Sequence, residues 1–195
     1  MTRGSSRRLG VLISGRGSNL KAIIDAIDDG RLDASIALVL SNQANAPGLD
    51  HARRAGIETL VLSHKAFATR EDFDRAMVNA LTDRGVGLVC LAGFMRLLSP
   101  VFVEAFPNRI LNIHPSLLPK YPGLHPQQQA LDDGAMVSGA TVHIVNTDLD
   151  AGPIVLQREV AVWPGDTADT LAARILEVEH RLYPEAIELV LKRGR

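Results

Sequence analysis

Several residue classes are scarce in this chain, and each scarcity excludes a class of protein. There is one cysteine, Cys90, so no disulfide can form within the chain, which is typical of a reducing compartment. The 21 basic residues do not outnumber the 22 acidic ones, so the excess of positive charge expected of a nucleic-acid-binding protein is missing. No apolar run is long enough to cross a membrane, and we expect no signal peptide. We therefore predict a cytoplasmic protein that binds neither nucleic acid nor membrane.

What remains is a composition suited to one folded domain. Hydrophobic residues make up 46% of the 195 residues, which is enough for one packed core and short for two domains. The chain carries no internal repeat or linker. Three arginines, Arg3, Arg7 and Arg8, cluster at the N-terminus, and we predict that residues 1–8 form a solvated tail.

Short apolar runs alternate with helical patterns over the first 114 residues. The predicted strands are 9–14, 34–40, 57–62, 87–91 and 109–114. Between them, apolar residues recur at helical spacing, as at Leu20, Ile23 and Ile24, while Thr69 and Ser99 have the sequence context of helix N-caps. Such alternation predicts an α/β fold: a single Rossmann-like domain with a mostly parallel twisted sheet and helices on both faces.

The pattern changes after Gly134. Two further strands, 138–145 and 154–162, are too close together for a helix between them, so we predict an antiparallel C-terminal pair. A long last helix follows Asp166 and Thr167, and Pro184 is expected to kink or end it.

Asn112 and His114 lie two residues apart in an extended run that a proline ends. Because side chains alternate along a strand, both are predicted on one face, with Leu111 and Ile113 on the other. Asp150, in a Gly-Pro turn, is placed to orient the imidazole and to favour its charged form. An amide donor, an imidazole and a carboxylate at the carboxyl end of a strand suit acyl transfer.

A loop with two glycines follows the first predicted strand. Residues 15–18, Gly-Arg-Gly-Ser, lead into a helix, where free N–H groups and the positive helix end attract an anion. The third glycine of a dinucleotide fingerprint is replaced by Leu20, and no Walker A lysine follows. The loop therefore favours a phosphomonoester over a dinucleotide or ATP, and a tight turn without a ligand stays open as the alternative.

Four segments carry a resemblance to a known family: ISGRGSN at 13–19, LAGFMRLLSP at 91–100, NIHPSLLPKYPGLH at 112–125 and LDAGP at 149–153. In this order they resemble the phosphoribosylglycinamide formyltransferase family, the folate-dependent formyltransferases of purine synthesis. The similarity runs from about Leu9 to about Leu191. It implies transfer of a formyl group from 10-formyltetrahydrofolate, a co-substrate, to the amine of glycinamide ribonucleotide, without a metal.

The resemblance also implies individual site residues. Those implied in catalysis are Asn112, His114 and Asp150. Those implied in ribonucleotide binding are Gly17, Ser18 and Asn19 for the phosphate and Glu179 for the glycinamide end. Those implied in folate binding are Arg70, Phe94, Met95, Arg96, Leu97, Leu98, Asn146, Thr147, Asp148 and Leu149. On this basis residues 9–100 would form the ribonucleotide-binding half, and residues 101–195 the catalytic and folate-binding half.

The chemistry of the three catalytic candidates agrees with formyl transfer. Attack of an amine on a formyl carbon places negative charge on the carbonyl oxygen, and Asn112 and a protonated His114 are suitable donors to it. Asp150 can accept the proton that the amine must lose, directly or through water. His143 is either a partner of this site or a core histidine, and the role of the 120–134 loop stays open.

Other functions also stay open. A formyltetrahydrofolate hydrolase shares the Asn-x-His…Asp pattern but usually carries an N-terminal regulatory domain, and a methionyl-tRNA formyltransferase would need a C-terminal RNA-binding domain. A Rossmann-like nucleotide-binding or sensor module is a third alternative, although it has no need of all three catalytic candidates. The sequence leaves monomer and homodimer equally possible.

Overall fold

Seven strands form one sheet at the centre of the molecule. The structure, a computed structural model, describes residues 7–193. Its strands are β1 (Arg8–Ile13), β2 (Ser35–Ser41), β3 (Thr59–Val61), β4 (Leu88–Leu91), β5 (Ile110–His114), β6 (Val137–Ile144) and β7 (Ile154–Ala161). Their order in the sheet is β3-β2-β1-β4-β5-β6-β7. Strands β1 to β5 pair in parallel, whereas β6 pairs antiparallel with β5 and β7, so the predicted antiparallel C-terminal pair is confirmed.

Helices cover both faces of this sheet. They are α1 (Ser18–Asp28), α2 (Gly48–Arg54), α3 (Arg70–Asp83), α4 (Pro100–Ala105), α5 (Pro126–Asp132) and α6 (Ala168–Arg193), with a short 3-10 helix at His64–Ala66. Because strand side chains alternate, Leu9, Val11 and Ile13 of β1 pack in one apolar cluster with α1, α2 and α6. Leu12 points to the other face, into a second cluster with α3 and α4. The predicted α/β class is confirmed.

The predicted helix starts also agree with the structure. Thr69 precedes α3, and its hydroxyl accepts a hydrogen bond from the Asp72 N–H at 3.1 Å, which satisfies one of the free amides of the first turn. Ser99 precedes α4, with Pro100 in the first turn, where a missing N–H costs nothing. No helix within residues 7–193 is both long and apolar enough to cross a membrane.

Three features differ from the sequence prediction. Residues 1–6 of the predicted tail lie outside the described residues, but Arg8 begins β1 and Arg7 forms an ion pair with Glu188 at 2.8 Å. Helix α5 occupies part of the 120–134 loop, where no helix was predicted. Pro184 does not end the last helix, which continues to Arg193 because the residues around this proline are buried against the sheet.

The topology places loops from several strands at one edge. Beyond β1 the chain order reverses, with β2 on one side of β1 and β4 on the other. In open α/β sheets such a reversal opens a crevice at the carboxyl ends of the strands, where ligands bind. The loops after β1, β4 and β5 therefore converge at this edge.

Candidate active site

Strand β5 carries Asn112 and His114 to the carboxyl edge of the sheet. Asn112 stands opposite His143 of β6, and His114 stands opposite Thr141. Both imidazoles are buried, with 6% of His114 and 2% of His143 exposed. Polar side chains at this depth need partners, and these side chains find them in one another and in the loop after β6.

Asp150 lies between the two imidazoles. Its Oδ2 is 3.5 Å from Nδ1 of His114, and its Oδ1 is 3.7 Å from Nε2 of His143. The turn that brings Asp150 here has unusual backbone geometry: Asp150 has a φ of 50°, and a Cβ on Gly152 would stand 1.7 Å from the carbonyl oxygen of Ile144. Only glycine fits at position 152, so the Asp-Ala-Gly motif is what allows the turn to pass so close to β6.

His114 is held in an orientation that suits its charged form. Its Nε2 lies 2.8 Å from the carbonyl oxygen of Tyr121, which can only accept, so Nε2 carries a hydrogen. Its Nδ1 faces the Asp150 carboxylate, and a hydrogen there also meets an acceptor. The imidazolium therefore satisfies both neighbours, whereas a neutral ring would direct a lone pair at a carboxylate.

His143 is in the opposite situation and orients Asn112. Its Nδ1 is 3.2 Å from the carbonyl oxygen of Ile144, so the hydrogen of the neutral ring lies on Nδ1. Its Nε2 then accepts a hydrogen bond from Nδ2 of Asn112 at 3.2 Å. Burial lowers the pKa of His143, which favours this neutral form. One amide hydrogen of Asn112 is thereby fixed, and the second is left to point at a ligand.

The segment after β5 closes over these residues and is held by α5. The Gly123 N–H donates to Oδ2 of Asp150 at 2.9 Å. Nε2 of Gln129, on α5, donates to the carbonyl oxygens on both sides of Gly123, those of Pro122 at 3.0 Å and Leu124 at 2.8 Å. We call this arrangement the Gln129 clamp. Sequence reasoning missed it because the groups that touch the catalytic candidates are backbone atoms; Pro126 at a helix start was the available signal.

A cavity of about 390 Å³ opens beside the amide of Asn112, and we call it the Asn112 cavity. It brings together nine of the ten residues implied in folate binding. Its lining comprises Arg70, Leu91, Phe94, Arg96, Leu97, Leu98, Pro100, Asn112, His143 and residues 145–150. The tenth residue, Met95, lines a different cavity.

That second cavity, of about 740 Å³, surrounds the glycine loop, and we call it the Gly17 cavity. Its lining comprises residues 14–19, Ala92, Gly93, Met95, Ile113, Pro115, Gln127, Asp169, Ala172, Ala173, Leu176 and Glu179. Gly17 has a φ of 70°, and a Cβ on it would lie 2.6 Å from the Cα of Gly48, so glycine is required where α1 begins. Both cavities draw on residues from each side of position 100, so the predicted two halves of the chain do not separate them.

Glu179 and Asn19 meet in the Gly17 cavity. Nδ2 of Asn19 donates to Oε2 of Glu179 at 3.2 Å, and its buried Oδ1 has no partner among the described residues. The side chain of Asn19 is therefore directed at Glu179, which leaves its backbone N–H at the start of α1 for an anion. Burial raises the pKa of Glu179 to about 7, while the bond from Asn19 opposes this rise.

Comparison with known proteins agrees with the geometry of the site. Residues 7–187 match the sequence profile of the formyl transferase family. The chain belongs to the formyl transferase family. Over 177 residues it is 50% identical to phosphoribosylglycinamide formyltransferase of Escherichia coli, covering 91% of this chain and 84% of that protein. It is 49% identical to part of the human trifunctional purine biosynthetic protein adenosine-3, covering 94% of this chain and 18% of that longer protein.

Solved structures of formyl transferases have the same fold. Glycinamide ribonucleotide transformylase 1 from Symbiobacterium toebii superposes with a TM-score of 0.95 at 52% identity, covering 97% of this chain and 90% of that one. Phosphoribosylglycinamide formyltransferase from Brucella melitensis gives a TM-score of 0.91 at 48% identity, covering 95% of this chain and 96% of that one. The family resemblance found in the sequence is thus confirmed.

Within this formyl transferase, one further contact joins two loops that line the Gly17 cavity. The hydroxyl of Ser14, after β1, accepts a hydrogen bond from the Met95 N–H at 2.8 Å and donates to Oδ1 of Asn42 at 2.6 Å. The loops after β1 and β4 are therefore fixed to each other at the point where the sheet order reverses. This contact was not predictable from the sequence, in which its only trace is the serine of the ISGRGSN motif.

Proposed function

We propose that this chain is a cytoplasmic enzyme, a monomer or homodimer, that transfers a formyl group from 10-formyltetrahydrofolate to the amine of glycinamide ribonucleotide in purine synthesis. The observation that carries the proposal is the position of the two cavities, which meet at the carboxyl ends of β4 and β5: Asn112 and Phe94 line one, and Ile113 and Gly93 line the other. A transfer reaction needs two substrates held side by side at one catalytic group. The relatives named phosphoribosylglycinamide formyltransferase support this choice of acceptor.

The Asn112 cavity suits the folate. Phe94, Leu97 and Leu98 offer apolar surface for a flat pteridine ring, and the backbone and side chains of 146–148 offer polar partners to its edge. Arg70 lines the same cavity with its side chain 43% exposed, a position that suits the carboxylates of the folate tail. The formyl group would then lie at Asn112.

The Gly17 cavity suits the ribonucleotide. The N–H groups at the start of α1, in Ser18 and Asn19, are free of intrahelical partners, and the helix dipole adds positive potential there. Arg16 lines the same cavity and lies two residues before Ser18. Glu179, on α6, is an acceptor for polar hydrogens of the substrate.

Attack of the substrate amine on the formyl carbon forms a tetrahedral intermediate with a negatively charged oxygen. The free hydrogen of the Asn112 amide, which His143 orients, and the charged His114 would stabilise this oxygen. Asp150 would accept the proton of the attacking amine, directly or through water, and would return a proton by the same route to the nitrogen of tetrahydrofolate as its bond to the formyl carbon breaks. His114 and Asp150 already interact, so no large rearrangement of charge is needed in the reaction.

A formyltetrahydrofolate hydrolase is the principal alternative, because the same three residues could activate water. The Gly17 cavity favours the transferase, since hydrolysis needs no second organic substrate. A binding module without activity is disfavoured by the two buried imidazoles of His114 and His143, since buried polar groups cost stability and a binding module has no use for them.

The test is a formyl-transfer assay with 10-formyltetrahydrofolate, followed by absorbance, with and without glycinamide ribonucleotide. We expect tetrahydrofolate to form only when the ribonucleotide is present. If tetrahydrofolate forms at the same rate without the ribonucleotide, the enzyme is a hydrolase and the proposal is wrong. If no tetrahydrofolate forms in either case, the protein is a binding module.

A further inference from the structure

A third cavity lies behind the glycine loop and is not used by the proposed reaction. It has a volume of about 440 Å³ and lies between α1, α2 and α6. Ser18 lines it as well as the Gly17 cavity, so the two cavities adjoin at the first residue of α1. We call it the basic cavity because of the side chains described next.

Positive charge dominates the lining of the basic cavity. Lys21, Arg31 and Arg181 contribute three cations, against the single carboxylate of Asp25. Lys21 pairs with Asp25 at 2.5 Å, which cancels one charge of each sign. Arg31 shares its charge with Asp29, a residue outside the lining. Arg181 is therefore the cation that faces the cavity without a counter-ion.

Two imidazoles add donors to this charge. The buried Nε2 of His180 has no hydrogen-bond partner among the described residues. No hydrogen bond or ion pair within residues 7–193 engages the side chains of His51 or Arg181. Buried polar atoms are normally satisfied, so an orphaned ring nitrogen beside two unpaired polar side chains indicates a missing polar ligand.

The contrast with the Gly17 cavity supports a separate ligand. The Gly17 cavity is lined by one arginine and two carboxylates, whereas the basic cavity is lined by three cations and one carboxylate. Arginine and imidazolium are typical partners of phosphate oxygens. A volume of about 440 Å³ exceeds that of a phosphate ion and is in the range of small-molecule sites.

We propose that the basic cavity binds the phosphate of a second small phosphorylated metabolite, through Arg181, His51 and His180. This site is distinct from the one that would hold the phosphate of the substrate. Because Ser18 borders both the basic cavity and the Gly17 cavity, we also expect a ligand in the basic cavity to weaken ribonucleotide binding in the Gly17 cavity. This consequence alone rests on the proposed function.

The test is calorimetric titration of the whole chain with ribose 5-phosphate, and with inorganic phosphate for comparison. We expect the wild type to bind more than one equivalent of ribose 5-phosphate, and the double variant His51→Gln, Arg181→Gln to lose one. The affinity at this site should fall by about tenfold or more in Arg181→Gln alone, the effect of one lost charge-assisted hydrogen bond. Arg109→Gln is the matched control, because Arg109 is exposed at the start of β5, on the opposite edge of the sheet.

An unchanged number of bound equivalents in the double variant would overturn the proposal, and so would an equal loss in Arg109→Gln. Equal affinity of the cavity for the two probes would contradict a site for a phosphate ester. These readouts do not use the formyl-transfer reaction, so they stand or fall separately from the proposed function. The expected weakening of ribonucleotide binding is measured separately, as the KM for the ribonucleotide. Ribose 5-phosphate should raise this KM in the wild type, and should raise it less in the double variant.

Discussion

Glu179 is a single carboxyl group whose environment differs sharply from that of Asp150. It is 6% exposed and accepts a hydrogen bond from Asn19, and its burial raises its pKa from 4.5 to about 7. Asp150 lies instead between two imidazoles and a backbone N–H. Environments that differ this much favour different roles for two carboxyl groups, and we propose a binding role for Glu179 and a catalytic role for Asp150.

Glu179→Gln should change how stability depends on pH. The pKa in the folded state exceeds that in the unfolded state, so the wild type keeps its full stability below 4.5 and loses part of it as the pH rises through 7. The glutamine cannot ionise, so above pH 7 the variant should be more stable than the wild type, by up to about 3 kcal/mol. Urea unfolding across this range measures the difference. If the difference in unfolding free energy between the variant and the wild type does not vary with pH, ionisation of Glu179 is not the cause of that difference.

His143 should act through Asn112. His143→Leu removes the acceptor that fixes the Asn112 amide, and we expect kcat to fall by roughly tenfold, the cost of one buried hydrogen bond. His143→Gln keeps an acceptor oxygen and should restore part of the rate. Steady-state kinetics of both variants decide the matter: equal loss in the two would mean that packing, rather than orientation of Asn112, explains the effect.

At the scale of elements, the strands and long helices were predictable because their apolar residues recur with clear periods. Asn112 and His114 could be assigned to one strand face on the same ground. Helix α5 was missed because it is one short element, Pro126–Asp132, with few apolar residues. The contacts of Tyr121 and Gly123 with the site were not predictable, since both use backbone atoms that any residue possesses.

The Gln129 clamp should control the catalytic geometry from α5. Gln129→Leu removes both bonds to the segment that holds Asp150 through Gly123, so we expect kcat to fall by roughly tenfold. Gln128→Leu is the matched control, because Gln128 bonds only Asp132, on α5 itself. Kinetics of the two variants at saturating substrates provide the comparison. The same loss in Gln128→Leu would attribute the effect to α5 as a whole.

Across the molecule as a whole, α6 joins one of the two core clusters to the site, because its apolar residues pack with β1 while its Glu179 lines the Gly17 cavity. It runs from Ala168 to Arg193 through Pro184, which usually breaks a helix. The hydroxyl of the preceding residue, Tyr183, donates to the carbonyl oxygens of Leu91 at 2.9 Å and Leu111 at 3.0 Å. This packing, invisible in a local sequence pattern, offsets the missing N–H and explains why the predicted end of the helix does not occur there.

Tyr183→Phe should therefore destabilise the whole fold. It removes a buried donor to neighbouring strands β4 and β5, and we expect a loss of about 1–3 kcal/mol in the free energy of unfolding. Urea denaturation measures this loss. A variant with wild-type stability would mean that the carbonyl oxygens of Leu91 and Leu111 are satisfied by the sheet alone.

In the proposed reaction, Asn112, with His114 and Asp150, stabilises the transition state of formyl transfer. The most direct measurement is kcat of Asn112→Ala with both substrates saturating, together with its thermal unfolding. We expect kcat to fall by roughly 100-fold or more, the usual effect of removing an oxyanion donor, with the unfolding temperature close to that of the wild type. A folded variant that turns over at nearly the wild-type rate would rule out this role for Asn112.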